Sequence, residues 1–344
     1  MIRVLNRILT FTTHKIHELP ILVLMPHSNC NCRCVMCDIW KANQNKTEIS
    51  IGELEKHLSA FKKLGVKRVA LSGGEALMHS NLWKFCDLLH SIGIKISLLS
   101  TGITLAHHAE NVATKCDDLI VSLDGSLQVH NRIRNIPSAF EKLEAGVKAI
   151  RASKPRFRIT GRSVLQRQNF RDFPNIISTS KTLGLDQISF LAADVSSEAF
   201  NRANPWQDER VSEVALNENE IQELIVIFNK SFTDFNAEYE TKFISESQSK
   251  ILAIAQYYLA ILGKTDFPQR KCNAPWVSAV LESDGSVMPC FFHSSYGNLS
   301  AGSFQEVINS PKAIAFRKSL DVKKNPICKR CVCSLRVGLT QSVF

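Results

Sequence analysis

Hydrophobic residues along the chain fall into short apolar runs separated by longer stretches with helical spacing. One phrase occurs three times: a helical stretch ends on an apolar residue and glycine, and a β-rich run follows. Leu64-Gly65-Val66 precedes 68–71, Ile92-Gly93-Ile94 precedes 96–99, and Leu183-Gly184-Leu185 precedes 187–190. Glycine just past a helix end supplies the left-handed C′ conformation. A short apolar run after it reads as a buried parallel strand. The pattern predicts strands at 21–25, 68–72, 95–99, 119–123, 158–165 and 187–191. Helices separate them, one opening on the capping-box sequence Ser50-Ile51-Gly52-Glu53, others near 81–91 and 139–152. Six such units predict an α/β fold, a partial (β/α)6 parallel-strand barrel, with sites at the C-terminal strand ends.

Beyond Asp194 the rhythm changes. Asn217 and Glu220 have capping-box spacing and start a helix running to about 230; 251–262 reads as an apolar helix. From Cys272 a smaller unit begins. The runs 277–281 and 286–288 flank Ser283-Asp284-Gly285, a hairpin signal, and a helix is predicted over 303–319. No low-complexity segment intervenes, so this unit is expected to dock on the barrel. The expected division is an N-terminal extension at 1–20, the barrel at 21–194, a helical acidic connector at 195–270 and a small β-hairpin/helix module at 271–344. Within the extension, Ile2, Leu5, Ile8 and Leu9 form one helical face with Arg3 and Arg7 elsewhere. That face suits a packing helix, with a membrane-surface helix as the alternative.

Composition adds bounds. The 344 residues are 44% hydrophobic and 22% charged, a globular balance. The longest clean apolar run, 19–25, is far short of the roughly 20 residues that span a bilayer. No apolar stretch of signal-peptide length follows Arg3 and Arg7. The expectation is a soluble cytoplasmic protein. Net charge is +10, unevenly placed: 194–246 holds four basic and twelve acidic residues, a balance of −8, leaving +18 elsewhere. A basic body with one acidic stretch favours an anionic substrate, a phosphate group or nucleic acid. No basic motif interleaved with aromatics points to nucleic acid.

Eleven cysteines, an odd number, argue against a disulfide framework in such a chain. Nine cluster: Cys30, Cys32, Cys34 and Cys37; Cys272 and Cys290; Cys328, Cys331 and Cys333. Thiolates at that density imply zinc or iron–sulfur. Cys86 lies in an apolar helical pattern and reads as core. The spacing Cys30-x3-Cys34-x2-Cys37 follows the first strand. Three thiolates on a four-iron cube leave one iron free for a small chelator.

Further motifs follow on successive strand ends: Ser72-Gly73-Gly74-Glu75, Ser100-Thr101-Gly102, and Ser122-Leu123-Asp124-Gly125 with His130 and Arg132-Ile133-Arg134 downstream. With the cysteine triplet, this ordered series resembles the radical S-adenosylmethionine (SAM) superfamily over about 22–193. The resemblance implies that Cys30, Cys34 and Cys37 hold a [4Fe–4S] cluster whose free iron chelates SAM. Gly73 and Gly74 would let the backbone approach the methionine moiety, and Glu75 would sit near its amino group. Met36 would pack on adenine, where the family usually has an aromatic. Ser100, Ser122 and Asp124 are candidates for ribose or carboxylate contacts, and Arg134 for the SAM carboxylate. Ala76 stands where the family commonly has proline. Cys32 reads as a bystander; a zinc site of Cys30, Cys32, Cys34 and Cys37 is the alternative.

Cys272, Gly285-x4-Cys290 and Cys328-x2-Cys331 resemble the twitch module, a shortened SPASM domain holding one auxiliary [4Fe–4S] cluster. Cys333 competes with Cys331, which the spacing favours; His293 is a weaker ligand candidate, and a structural zinc site is the alternative. The resemblance implies an external electron donor such as flavodoxin or ferredoxin. It also implies reductive SAM cleavage to a 5′-deoxyadenosyl radical and hydrogen-atom abstraction from a substrate. The main reading is oxidation or rearrangement of a small, anionic molecule. The alternatives are a peptide-maturation enzyme and a non-catalytic iron–sulfur redox sensor or RNA-binding protein. No catalytic residue is assigned. Arg158, Arg162, Gln166 and Asp194 are candidates to reach the substrate.

Overall fold

The computed structural model describes residues 2–343. Six strands appear where the apolar runs predict them: β1 (Ile21–Leu24), β2 (Arg68–Leu71), β3 (Lys95–Ser100), β4 (Asp118–Ser122), β5 (Arg158–Leu165) and β6 (Gln187–Ala192). Each pairs in parallel with the next. Gly65, Gly93 and Gly184, at the ends of the preceding helices, take φ of +69°, +79° and +69°, the conformation that favours glycine there.

The sheet does not stop at β1. The other side of β1 pairs in parallel with β7 (Ser278–Leu281), which leads antiparallel into β8 (Ser286–Met288) and β9 (Gly297–Asn298). The C-terminal hairpin thus extends the barrel sheet, in the order β6-β5-β4-β3-β2-β1-β7-β8-β9. At the far edge, β6 is covered by the connector. Ile188 N–H donates to Phe243 O at 2.8 Å, Ser245 N–H to Ile188 O at 2.9 Å, and Phe190 N–H to a Glu246 carboxylate oxygen at 2.9 Å. Covering the edge removes a row of open backbone groups.

The strands alternate more than a doubly buried sheet would. Leu22, Leu24, Val69, Leu71, Ile96, Leu98, Leu119, Val121, Ile159 and Ile188 are buried, with helical residues such as Phe61, Phe85, Leu143, Val147 and Phe173 in the same core. The intervening residues Ile21, Val23, Ile120, Thr160 and Ser189 are only half-buried and line the barrel's inner face. That face carries polar pairs, among them Arg68 with Ser97 and Asp118.

Three predicted elements change. Val277 closes a short helix, Ala274–Val277, rather than opening β7. The helix at 303–319 is two, Phe304–Ile308 and Pro311–Ser319, because Pro311 lacks the N–H that would continue the first. The N-terminal helix Ile2–Thr13 packs through Arg7 and Thr10, while Leu5 and Ile8 are 55% and 40% exposed. Arg7 pairs with Glu18 at 3.1 Å and donates to the carbonyls of Leu339 and Gln341 at 3.2 and 2.9 Å. The predicted apolar face is therefore not the one that packs. Among the described residues no helix is long and apolar enough to cross a membrane.

Candidate active site

The loop after β1 carries the first cysteines, and hydrogen bonds from four directions hold it. Asn43 clamps Cys30, accepting from its N–H and donating to its carbonyl, both at 2.9 Å. Arg33 and Val35 donate their N–H groups to the carbonyls of Arg134 and Ile133, each at 3.1 Å, at the end of helix Leu127–Arg134. Glu75 N–H donates to Asn29 O at 2.9 Å. From the connector, Arg210 donates to Val35 O and Arg202 to Met36 O, the latter at 3.4 Å.

Each thiol of the triplet feels the others. Burial pushes Cys30 and Cys37 up, the latter to about 12, with the neighbouring thiols adding to the rise. Cys34 moves the other way, to about 7. The cause is first a hydrogen bond donated by the Cys32 thiol, then the Arg134 guanidinium, which lies 3.5 Å from the sulfur. Cys32 is fully buried and its thiol is raised by the same bond. Among the described residues no three His, Cys, Asp or Glu side chains converge closely enough to hold a single metal ion. A zinc site with 2.3 Å bonds needs thiolates about 4 Å apart. The three thiols lie within electrostatic reach of one another, and that donor set fits an iron–sulfur cube.

The glycine–glycine–glutamate turn is fastened to this loop. A Cβ at Gly74 would lie 2.1 Å from Asn29 O and 2.5 Å from its carbonyl carbon; at Gly73, where φ is +110°, it would lie 3.1 Å from His27 O and Met25 Cβ. The close approach that demands glycine is thus to the chain's own loop. Gly74→Ala is expected to lower stability by about 1–3 kcal/mol, the cost of overpacking. It should also slow SAM cleavage at least about tenfold by shifting Cys30. Urea unfolding and product chromatography measure the two effects, and wild-type values in both would refute the packing argument.

Glu75, 1% exposed, accepts from Thr101 N–H and Oγ1 (both 2.6 Å), Ser100 Oγ (3.1 Å) and Leu77 N–H (3.2 Å). Burial raises its carboxyl while these donors pull it down. Glu75 and Ser100 therefore engage each other inside the protein. Thr101 Oγ1 is also 2.8 Å from Asn31 Oδ1 in the cysteine loop. Asp124, fully buried, pairs with Arg134 and accepts from Val164 N–H at 2.8 Å on β5. Arg134, expected to reach a SAM carboxylate, pairs with Asp124 and donates to the Cys34 sulfur at 3.5 Å. Ser122 is half-buried on the barrel's inner face, and Met36 is buried in the loop. Gly73, Gly74, Met25 and His27 line a cleft of about 610 Å³, closed opposite by residues 282–284 and 291–294 of the C-terminal module. That volume lies within the range of small-molecule sites.

Sequence reasoning missed Asn31, Asn43, Thr101, Arg202, Trp206 and Arg210. Asp194 was a candidate to reach substrate, but Arg202 occupies it in a buried ion pair at 2.8 Å. Arg202 also stacks on Trp206 at 3.8 Å, whose Nε1 donates to Asp38 at 2.7 Å. Arg202, Trp206 and Arg210 meet the cysteine loop across more than 160 positions, and no local signal marks them.

In the C-terminal module, Cys290 is raised to about 11 and Cys328 to about 12, by burial first and then by neighbouring thiols including Cys272. Cys331, raised by burial and by Cys333, donates to Cys333 O at 2.9 Å. His293 Nε2 is 3.3 Å from the Cys328 sulfur. The five thiols and this histidine thus gather at one end of the module.

Residues 24–179 match the radical SAM superfamily and residues 272–332 an iron–sulfur cluster-binding domain, SPASM. Among curated proteins, the cysteine-type anaerobic sulfatase-maturating enzyme of Clostridium novyi is 25% identical over 343 residues, 91% of this chain and 85% of that one. The antilisterial bacteriocin subtilosin biosynthesis protein AlbA of Bacillus subtilis is 22% identical, covering 82% and 58%. The AdoMet-dependent heme synthase of Methanosarcina barkeri is 24% identical over 190 residues; this chain spans about half its length, 54%. The structure of Streptococcus suis SuiB bound to precursor peptide SuiA superposes with a TM-score of 0.64 at 14% identity, covering 95% of this chain and 74% of that one. These matches carry with them a [4Fe–4S] cluster, SAM and auxiliary iron–sulfur binding as cofactors. The chain is a radical SAM superfamily enzyme with a C-terminal SPASM/twitch iron–sulfur module.

Proposed function

We propose that the enzyme modifies a peptide or protein substrate, the alternative reading of the sequence rather than the small-molecule one. The observation that carries this is the near end-to-end match to a protein-maturing enzyme, 91% of one chain and 85% of the other. The fold likeness to SuiB and the broad match to the subtilosin protein support it. The heme synthases match over only 54% and 45% of this chain.

In this reading Cys30, Cys34 and Cys37 hold the SAM-binding cluster. Cys272, Cys290, Cys328 and Cys331 hold the auxiliary one. When bound, cluster and SAM together supply a 5′-deoxyadenosyl radical able to take a hydrogen atom from an unactivated carbon. The chain's own work is placement. Gly73 and Gly74 form one wall of the cleft, Met36 is buried in the cysteine loop, and Ser122 faces inward from β4. Glu75, Ser100 and Thr101 lock the turn to its neighbour. Asp124 holds Arg134 against Cys34. Arg202, Trp206 and Arg210 press the connector over the cysteine loop and keep water from it.

The test supplies the reduced holoenzyme and SAM with a perdeuterated lysate of the producing organism, split into polypeptide and small-metabolite fractions. Deuterium is expected in 5′-deoxyadenosine from the polypeptide fraction. Label arriving only from the metabolite fraction returns the function to the small-molecule reading.

A further inference from the structure

The N-terminal helix keeps its apolar side outside the fold. Helix Ile2–Thr13 turns Arg7 and Thr10 inward, and Phe11 packs on Trp276 with ring centroids 6.4 Å apart. Leu5 and Ile8, one turn apart, are left in solvent. Leu339, in the C-terminal tail, is exposed as well. Arg7 ties the helix to that tail through Leu339 O and Gln341 O. Exposed apolar side chains therefore come together from both ends of the chain.

Beside them lies a cleft of about 680 Å³, lined by Arg3, Val4 and Arg7 of the helix, by Lys67 and Lys95, and by the tail from 339 to 343. Val4 is one turn from Ile8, so cleft and apolar face adjoin. Backbone bonds fix the far wall: Lys67 N–H donates to Pro20 O at 3.0 Å, and Lys95 N–H to Lys67 O at 2.9 Å. Four cations line the cleft against one acid, Glu18, which Arg7 already neutralises at 3.1 Å. Arg3, Lys67 and Lys95 are exposed, and among the described residues none of the three is in an ion pair. The acids at the start of β4 are engaged elsewhere: Asp117 accepts from Ile96 N–H at 2.7 Å, and Asp118 pairs with Arg68. Lys67 and Lys95 stand where β2 and β3 begin, so the cleft lies at the opposite end of the strands from the cysteine loop. Unopposed cations flanking an exposed apolar helix face are the two features with which a helix lies in the plane of an anionic interface.

We propose that this end of the barrel docks on an anionic membrane surface. Leu5, Ile8 and Leu339 enter the headgroup boundary, while Arg3, Lys67 and Lys95 receive lipid phosphates at the cleft. Interfacial binding grows with the apolar area buried and with attraction to anionic lipid, so the two features act together. The association is peripheral, since no described helix is long and apolar enough to cross a bilayer. The active-site mouth, at the other ends of the strands, stays open to substrate. The docking is independent of what that substrate is, and its test uses none.

The test floats the anoxic, reconstituted holoenzyme with vesicles of phosphatidylcholine alone or of phosphatidylcholine mixed with phosphatidylglycerol. Partition onto the anionic vesicles is expected to be at least about tenfold higher, and to fall toward the neutral value as salt is raised. Leu5→Glu with Ile8→Glu should abolish flotation. Lys67→Gln with Lys95→Gln should lower partition onto anionic vesicles about tenfold and leave the neutral value unchanged. Lys56→Gln with Lys84→Gln removes the same charge from helices Ile51–Lys63 and Leu82–Ser91 and should change neither. Iron content, urea unfolding and dithionite-driven SAM cleavage verify that each variant is folded and loaded. Glycerol 3-phosphate, a headgroup without its chains, should not release the protein at matched ionic strength; release would make the cleft a site for a free phosphate ligand and overturn the membrane reading. Equal partition onto the two vesicle types, flotation with neither, or wild-type partition in the Leu5/Ile8 or the Lys67/Lys95 variant would overturn it too.

Discussion

Replacing Cys30, Cys34 and Cys37 together by alanine is expected to abolish SAM cleavage and to remove about four of roughly eight iron atoms. The remaining iron should stay with the C-terminal thiols, which lie in a module whose β7 pairs with β1 without using the cysteine loop. Single replacement of Cys32 tests the ligand set from the other side. Its thiol is fully buried and donates to Cys34, so it sits behind a ligand rather than beside it. Cys32→Ala is expected to keep the full iron content and to keep SAM cleavage measurable. Iron and sulfide analysis with chromatography of 5′-deoxyadenosine decides the matter. Full iron in the triple variant would remove the ligand assignment, and loss of half the iron in Cys32→Ala would bring Cys32 into it.

The barrel was legible because its signals are local. Leu64-Gly65-Val66 and its two repeats state where a helix stops and a strand begins within three residues, and the positive φ of each glycine is the physical content of that signal. The cysteine triplet and the glycine–glycine–glutamate turn were legible as motifs, but their packing reason was not. Gly74 is needed because Asn29 O occupies the space of a Cβ, 45 positions earlier in the chain. Charge averaging misled in the connector. The balance of −8 over 194–246 says nothing of packing, yet two of the four cations there, Arg202 and Arg210, touch the cysteine loop. Amphipathic reading failed likewise in the first helix, where Arg7 turns inward to Glu18 and the chain's end. In each case the missing information is which buried polar group meets which. That is set by partners distant in sequence and worth more, once desolvated, than the local pattern. The break at Pro311 was different: the residue that causes it is visible in the sequence.

The buried Arg134–Asp124 pair is where that cost can be measured. Both side chains are almost wholly excluded from solvent. Arg134→Met leaves Asp124 without its counter-ion, accepting only from Val164 N–H, and breaking one side of such a pair costs about 3–5 kcal/mol. Urea unfolding should register that loss. A double variant, Arg134→Met with Asp124→Leu, should recover most of it, because two apolar side chains leave no orphaned charge. Function should not follow stability back. The guanidinium also donates to Cys34, and a donor to a cluster sulfur favours the reduced, more negative state. Both variants are therefore expected to show a lower reduction potential for the N-terminal cluster, the single variant more so because it also loses a positive charge. If the double variant regained the wild-type potential along with its stability, Arg134 would be a packing residue only; if neither variant lost stability, the pair would not be buried as the fold places it.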